Sequence, residues 1–275
     1  MSNTLKFKPP GDCIFCGRTG RLSKQHIFPD RLKKLIPRDS DHHFSAPIII
    51  IPARDNAIFI QPKTLKKRNG NIGTRKSRIV CELCNGGWMR TAEEAAFDVI
   101  TPIILGETPS LSQDDMEKIA LFSGIIFSMA DTDHPSTSAV SFEERSFMFR
   151  NHKLPPNWFL FMARTNSEYW KLRFYHNGAK TRPANSTIEP IRCNFHVCTI
   201  GMGNMVLHAV SGADDIWIND PQQYTDVHQM VRIGPSVRPV NLADLPILDE
   251  FEVSELAKAL FMRLIEKSVE LLGRI

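Results

Sequence analysis

Cys13-Ile14-Phe15-Cys16 and Cys81-Glu82-Leu83-Cys84 are two CxxC pairs, each spaced so that one tight turn presents two sulfurs to a single ion. Four thiolates complete a closed tetrahedral site, which predicts a structural Zn²⁺ held by Cys13, Cys16, Cys81 and Cys84. Gly17 follows the first pair and Gly86-Gly87 the second, so the backbone can fold back with amide N–H groups toward the sulfurs. A redox role for either pair would need a thioredoxin-like βαβ setting, and none is legible. The other two cysteines, Cys193 and Cys198, flank His196. Five residues apart, they point to opposite faces of a regular strand and are read as buried thiols rather than a second metal set.

Between the pairs lies Ser23-Lys24-Gln25-His26-Ile27-Phe28-Pro29, and directly after the second come Asn85, Gly86, Gly87, Trp88 and Met89. This order of CxxC, a strand ending in His with Pro three residues on, a second CxxC and then Asn opening a helix resembles the zinc-containing branch of the HNH endonucleases. The resemblance covers residues 11–100 and is most specific from Cys81 to Met89. It implies a ββα-metal finger that hydrolyses phosphodiester bonds, in double-stranded DNA before RNA. It gives His26 the task of activating the attacking water. It also implies a divalent ion, Mg²⁺ or Mn²⁺, held by Asn85 and Gln25, to stabilise the leaving oxygen.

Two departures from the family pattern bear on activity. The residue before the histidine is usually Asp or Glu, and Gln25 brings no charge; Glu93 or Asp30 would restore it if the fold brings either close. The asparagine that usually precedes the second CxxC and orients the histidine is replaced by the stretch Lys76, Ser77, Arg78, with Asn71 the nearest upstream. A second reading therefore stays open: a catalytically decayed, zinc-dependent nucleic-acid-binding or interaction module.

The charge distribution favours a polyanionic partner for the N-terminal part alone. Residues 1–100 hold 18 Lys and Arg against 9 Asp and Glu, whereas the remainder holds 16 against 21. The excess peaks where Lys63, Lys66, Lys67, Arg68, Arg75, Lys76 and Arg78 occur without an intervening acid. Asn69, Gly70, Asn71 and Gly73 mark this stretch as a loop able to lie along nucleic-acid phosphates, or else as a solvated loop that keeps the protein soluble. Asp41-His42-His43 and Asp131-Thr132-Asp133-His134 sit in turn-like surroundings and are read as solvated loops. Trp88 and Met89 are read as core.

With 42% apolar and 23% charged residues in a chain of 275, a packed core is expected, and disordered and fibrous classes are set aside. The longest mostly apolar stretch, from Ile119 to Ala130, is too short for a bilayer span. No secretory leader is apparent, so a reducing, cytoplasmic setting without a membrane partner is expected. P-loop, GxSxG and dinucleotide motifs are absent.

The elements that would position these groups divide as residues 1–105, the HNH-like zinc domain, and 106–275, an α+β domain. The second would serve specificity, partner binding or homo-oligomer formation. Trp88, Ala92, Ala95, Ala96 and Val99 recur at helical spacing until Pro102, expected to stop the run. Ser112 and Asp115 form a capping-box pattern ahead of a helix through Ala130. Strands are expected at Trp158–Ala163, at Tyr169–Tyr175 closed by the turn Asn177-Gly178, at Phe195–Ile200 and at Met205–Val210, giving an antiparallel sheet with flanking helices. Ile48–Ile51 and Ile58–Ile60 read as a hairpin that could belong to the finger's own strand pair. A last helix, capped by Asp249 and Glu252 and apolar at Val253, Leu256, Ala257, Leu260, Phe261, Leu264 and Ile265, should pack on the sheet.

Overall fold

The computed structural model describes residues 11–37, 42–45, 49–52, 57–60, 66–179, 193–212, 230–234 and 239–258. Strand β1 (Leu22–His26) pairs antiparallel with β2 (Lys76–Cys81). The pairing slips by one between Ser23 and Gln25, and such a bulge bends the pair and re-aims its side chains. A short helix α1 (Glu82–Gly86) follows, then α2 (Trp88–Ile104). Pro102 lies inside α2 rather than ending it. In the last turn a proline forfeits a single backbone hydrogen bond, while Ile103 and Ile104 gain full burial.

The chain between β1 and β2 differs from the loop expected of it. A four-residue helix, Leu32–Leu35, follows β1. His42–Ser45 pairs with Lys66–Asn69, and Ile49–Pro52 pairs with Ala57–Ile60 as the isoleucine pattern indicated. Both are separate two-stranded ribbons, so the isoleucine hairpin is not the strand pair beside the cysteines. The basic stretch thus holds strand Lys66–Asn69, a turn at Gly70, a 3₁₀ turn Ile72–Thr74 and then β2. Gly70 has φ 94°, the left-handed conformation that spares a glycine the strain of other residues.

Helix α3 (Gln113–Asp131) starts at the Ser112/Asp115 capping box and is buried on nearly all sides, since it runs between α2 and the sheet. Helix α4 (Phe142–Asn151) has a capping box of its own, Ser141 with Glu144. Sequence reasoning missed α4 because its buried face carries Arg145 and Ser146 beside Met148, which erases the apolar period.

The strands β3 (Trp158–Thr165), β4 (Leu172–Ala179), β5 (Phe195–Met202), β6 (Met205–Gly212), β7 (Val231–Gly234) and β8 (Ile247–Leu248) form one sheet. Their order is β4-β5-β6-β3-β7, antiparallel throughout, with β8 added parallel to β3. The fold is α+β. Gly203-Asn204 makes a two-residue turn between β5 and β6.

β4 begins three residues later than expected and runs straight through Asn177-Gly178. Asn177 is buried, and a Cβ at Gly178 would stand 2.0 Å from the Thr137 carbonyl oxygen. This glycine admits a neighbouring backbone rather than making a turn.

One apolar cluster is continuous from Cys13, Phe15 and Phe28 through α2 and α3 to the sheet face made by Leu160, Cys198 and Ile200. On the opposite face Phe161, Trp170 and Val206 are covered by Val253, Leu256 and Ala257 of a helix over residues 250–258. Asp249 and Glu252 cap that helix reciprocally, as expected. Leu260, Phe261, Leu264 and Ile265 lie outside the described residues. Among those residues no helix is long and apolar enough to cross a membrane.

Candidate functional site

The first CxxC is wrapped by a small hairpin in which Gly11–Asp12 pairs with Thr19–Gly20. Cys13 N–H donates to the Arg18 carbonyl, and Gly17 closes the turn with φ 70° and an N–H bond to the Cys13 carbonyl. Ile14 N–H donates to Ile79 O, which fastens this turn to β2 and so to the second pair at the end of that strand. The four ligand sulfurs of Cys13, Cys16, Cys81 and Cys84 lie within 4.8 Å of one another, a set that fits structural zinc. Cys81 Sγ accepts the Cys84 N–H at 3.5 Å, the amide-to-sulfur contact expected of such a turn.

Burial raises the Cys84 thiol well above its ordinary pKa. Burial also opposes ionisation of Cys13, but backbone N–H groups of Cys16, Cys81 and Phe15 outweigh it and bring that thiol below its usual value. A dication removes the conflict, because metal binding drives thiol deprotonation.

Asn85 lies next to this cluster, late in α1 rather than at a helix start. Cys81 is the N-cap of α1 and Gly87 that of α2, so Asn85 caps neither helix. Its Nδ2 donates to Ser23 Oγ at 3.1 Å, and Ser23 Oγ donates to the Val80 carbonyl at 3.0 Å. This relay fixes the Asn85 amide against β1, with the amide nitrogen engaged by Ser23.

Asn85 lines one cleft together with Gln25, His26 and Glu93, over apolar residues of α3 that include Phe122 and Ile126. Two residues separated widely in sequence from His26 thus share a wall with it. Glu93 is half-buried, and desolvation raises its carboxyl pKa against the attraction of Arg31.

His26 Nε2 is buried, without a hydrogen-bond partner among the described residues, and 3.4 Å from Asp30 Oδ1. Burial lowers the imidazole's pKa, as do Lys76 and Lys33, against the opposing pull of Asp30. Neutral imidazole is therefore the dominant form at pH 7. The residue facing His26 across the strand pair is Lys76. Asn71 does not orient the histidine: its Oδ1 accepts the Gly73 N–H at 2.9 Å and caps the 3₁₀ turn.

Among the basic residues offered for phosphates, Lys67 and Lys76 are exposed and Arg68 is half-buried. Arg75 is otherwise committed: it forms an ion pair with Asp133, whose side chain is nearly buried. Lys63 lies outside the described residues, as does Asp41. The backbones of Lys66, His42 and His43 lie in strands. Trp88 packs among Phe15, Phe149 and His152, and Met89 is buried, so both belong to the core.

The segment Asp131 to His134 is not a solvated loop. Asp131 ends α3 fully buried and bonds to Arg145, His176, Ser138 and the Ala139 N–H. Burial opposes its ionisation, but His176 and Arg145 beside it hold the carboxyl far below the usual range. Only tertiary contact with α4 and β4 makes this segment interior. Cys193 and Cys198 are buried, as expected.

Comparison of the chain with family models, curated protein sequences and solved structures gives no match.

Proposed function

We propose that the protein is a metal-dependent endonuclease of the HNH type, in which the strand pair β1–β2 and the following helices form a zinc-stabilised ββα-metal finger. The observation that carries this reading is the cleft in which Gln25, His26, Asn85 and Glu93 meet beside the four-cysteine cluster. Hydrolysis of a phosphodiester needs a base for the water and a cation for the charge that develops on phosphate and leaving oxygen. Asp30 beside Nε2 favours the tautomer with its proton there, leaving Nδ1 as the base. The side-chain oxygens of Asn85 and Gln25 would hold Mg²⁺ or Mn²⁺, and Glu93 would supply the negative charge that Gln25 lacks. Exposed Lys67 and Lys76 would meet DNA phosphates, which position a duplex without reading its sequence.

The neutral Gln25 and the engagement of Asn71 elsewhere favour the second reading, a zinc-dependent nucleic-acid-binding module without catalysis. Cleavage of supercoiled plasmid by wild type and His26→Ala, in Mg²⁺ or Mn²⁺ and again with EDTA, separates the two. The nuclease reading expects metal-dependent nicking that His26→Ala abolishes. It also expects Glu93→Gln to weaken Mn²⁺ binding and Gln25→Glu to restore it in the same chain. Plasmid that is bound but never cut, with binding indifferent to His26→Ala, would leave the binding module.

A further inference from the structure

Besides the cleft, three metal-ligating side chains converge inside the core at the end of α3. Asp131 at the end of α3, His176 on β4 and His196 on β5 offer ligand atoms that all lie within 4.8 Å of one another. The strand register pairs His176 with Cys198 and Gly178 with His196, so the two histidines are diagonal neighbours on the sheet. Their ring centroids are 5.0 Å apart. Asp131 is 0% exposed and His196 1%, and the His176 side chain is 2% exposed.

Three of the four imidazole nitrogens around this point are unspent, whereas the oxygens of Asp131 are engaged. Among the described residues neither ring nitrogen of His196 has a hydrogen-bond partner, and His176 Nδ1 has none. A buried polar group left unpaired is costly, so an imidazole with two bare nitrogens calls for an occupant. Phe127 and Trp158 pack on the His196 ring and offer it no acceptor.

The two carboxylate oxygens of Asp131 are treated differently. Oδ2 accepts from Ser138 Oγ at 2.6 Å and Arg145 Nη2 at 2.5 Å, whereas Oδ1 faces His176 Nε2 at 2.9 Å and the Ala139 N–H at 2.8 Å. Each oxygen is thus held by two neighbours, contacts of the kind that orient a metal-binding carboxylate, and Oδ1 is the one beside His176.

We propose that Asp131 Oδ1, His176 and His196 bind one divalent transition-metal ion of the Zn²⁺ class, a structural site separate from the four cysteines. Two imidazoles and one carboxylate are a donor set suited to zinc. Around a tetrahedral ion with bonds of ~2.0–2.1 Å, ligand atoms stand ~3.3 Å apart. The His176–Asp131 contact would open by a few tenths of an ångström, and the widest pair would close from at most 4.8 Å. The charge of Arg145 opposes the ion, so this site binds more weakly than the four thiolates. Its effect is to tie the end of α3 to the two strands of the sheet edge. It stands whether or not the cleft cuts DNA.

The test is the metal content of the full chain, loaded with Zn²⁺ and then washed with excess Mg²⁺ to displace ions held weakly by oxygen ligands. Wild type should keep two zinc ions per chain, one for each cluster, and His196→Leu one. Co²⁺ in place of zinc distinguishes the clusters, since sulfur ligands give intense charge-transfer absorption and a nitrogen–oxygen set gives weak d–d bands alone. His196→Leu and His176→Gln should lose the weak bands and retain the thiolate bands; the second variant decides if the first does not fold. A single wild-type ion with only thiolate absorption would overturn the proposal. So would two ions that both variants retain.

Discussion

His208 is a further buried imidazole, on the opposite face of the sheet from the Asp131 cluster. It is fully buried, its Nδ1 lies 2.8 Å from Thr199 Oγ1, and its Nε2 has no partner among the described residues. Burial lowers its pKa from an ordinary 6.5 to about 4. As pH falls below 6.5 the unfolded chain takes up a proton that the folded chain refuses until about 4. Stability is therefore highest above pH 6.5, declines through that window and levels off below it. Each pH unit is worth ~1.4 kcal/mol, so two and a half units amount to roughly 3.4 kcal/mol from this one group. His208→Gln removes the titration and leaves an uncharged side chain there. Urea unfolding of wild type and His208→Gln at pH 7, 6, 5 and 4.5 reads the difference directly. The variant should be the less stable at pH 7 through lost packing, and the wild-type advantage should shrink by ~1.4 kcal/mol per unit below pH 6.5. An advantage that stays constant down to pH 4.5 would refute the claim that His208 is held neutral by burial.

Arg75→Met should act on stability and not on DNA binding. It strands Asp133 without its guanidinium partner at a cost of about 3 kcal/mol, read as a lower urea midpoint. Replacing the exposed Lys67 or Lys76 should instead reduce the salt slope of plasmid binding by ~1 and leave the midpoint unchanged. Chelation of zinc, or Cys84→Ser, should release the turn that joins Cys13 to β2. An ion present at a thousand times its Kd contributes ~4 kcal/mol, or roughly 8–16 °C in Tm for a chain of this size. A thermal scan in which EDTA leaves Tm unchanged would argue against structural zinc.

Legibility in the sequence followed the range of the interaction. The two CxxC pairs, the Ser112/Asp115 and Asp249/Glu252 caps, the isoleucine hairpin and the strands at Trp158, Phe195 and Met205 were readable because each is specified by residues within one turn or one strand. Short-range chemistry also misled where a distant backbone overruled it. Asn177-Gly178 has the composition of a turn, yet it lies mid-strand because the Thr137 carbonyl needs the space of a missing Cβ.

The sequence by itself determined that four sulfurs could share an ion and that His26 and Asn85 flank them. Which groups complete the cleft was decided only in three dimensions, because Glu93 of α2 lines it together with Gln25 and His26 of β1. The same holds for the cluster at Asp131. In sequence Asp131 belongs to a polar run, while His176 and His196 sit on strands 45 and 65 positions away with no spacing to betray them. Folding α3 against the sheet removes all three from water together, and in a low-dielectric interior their charges and lone pairs must be answered by one another or by an ion.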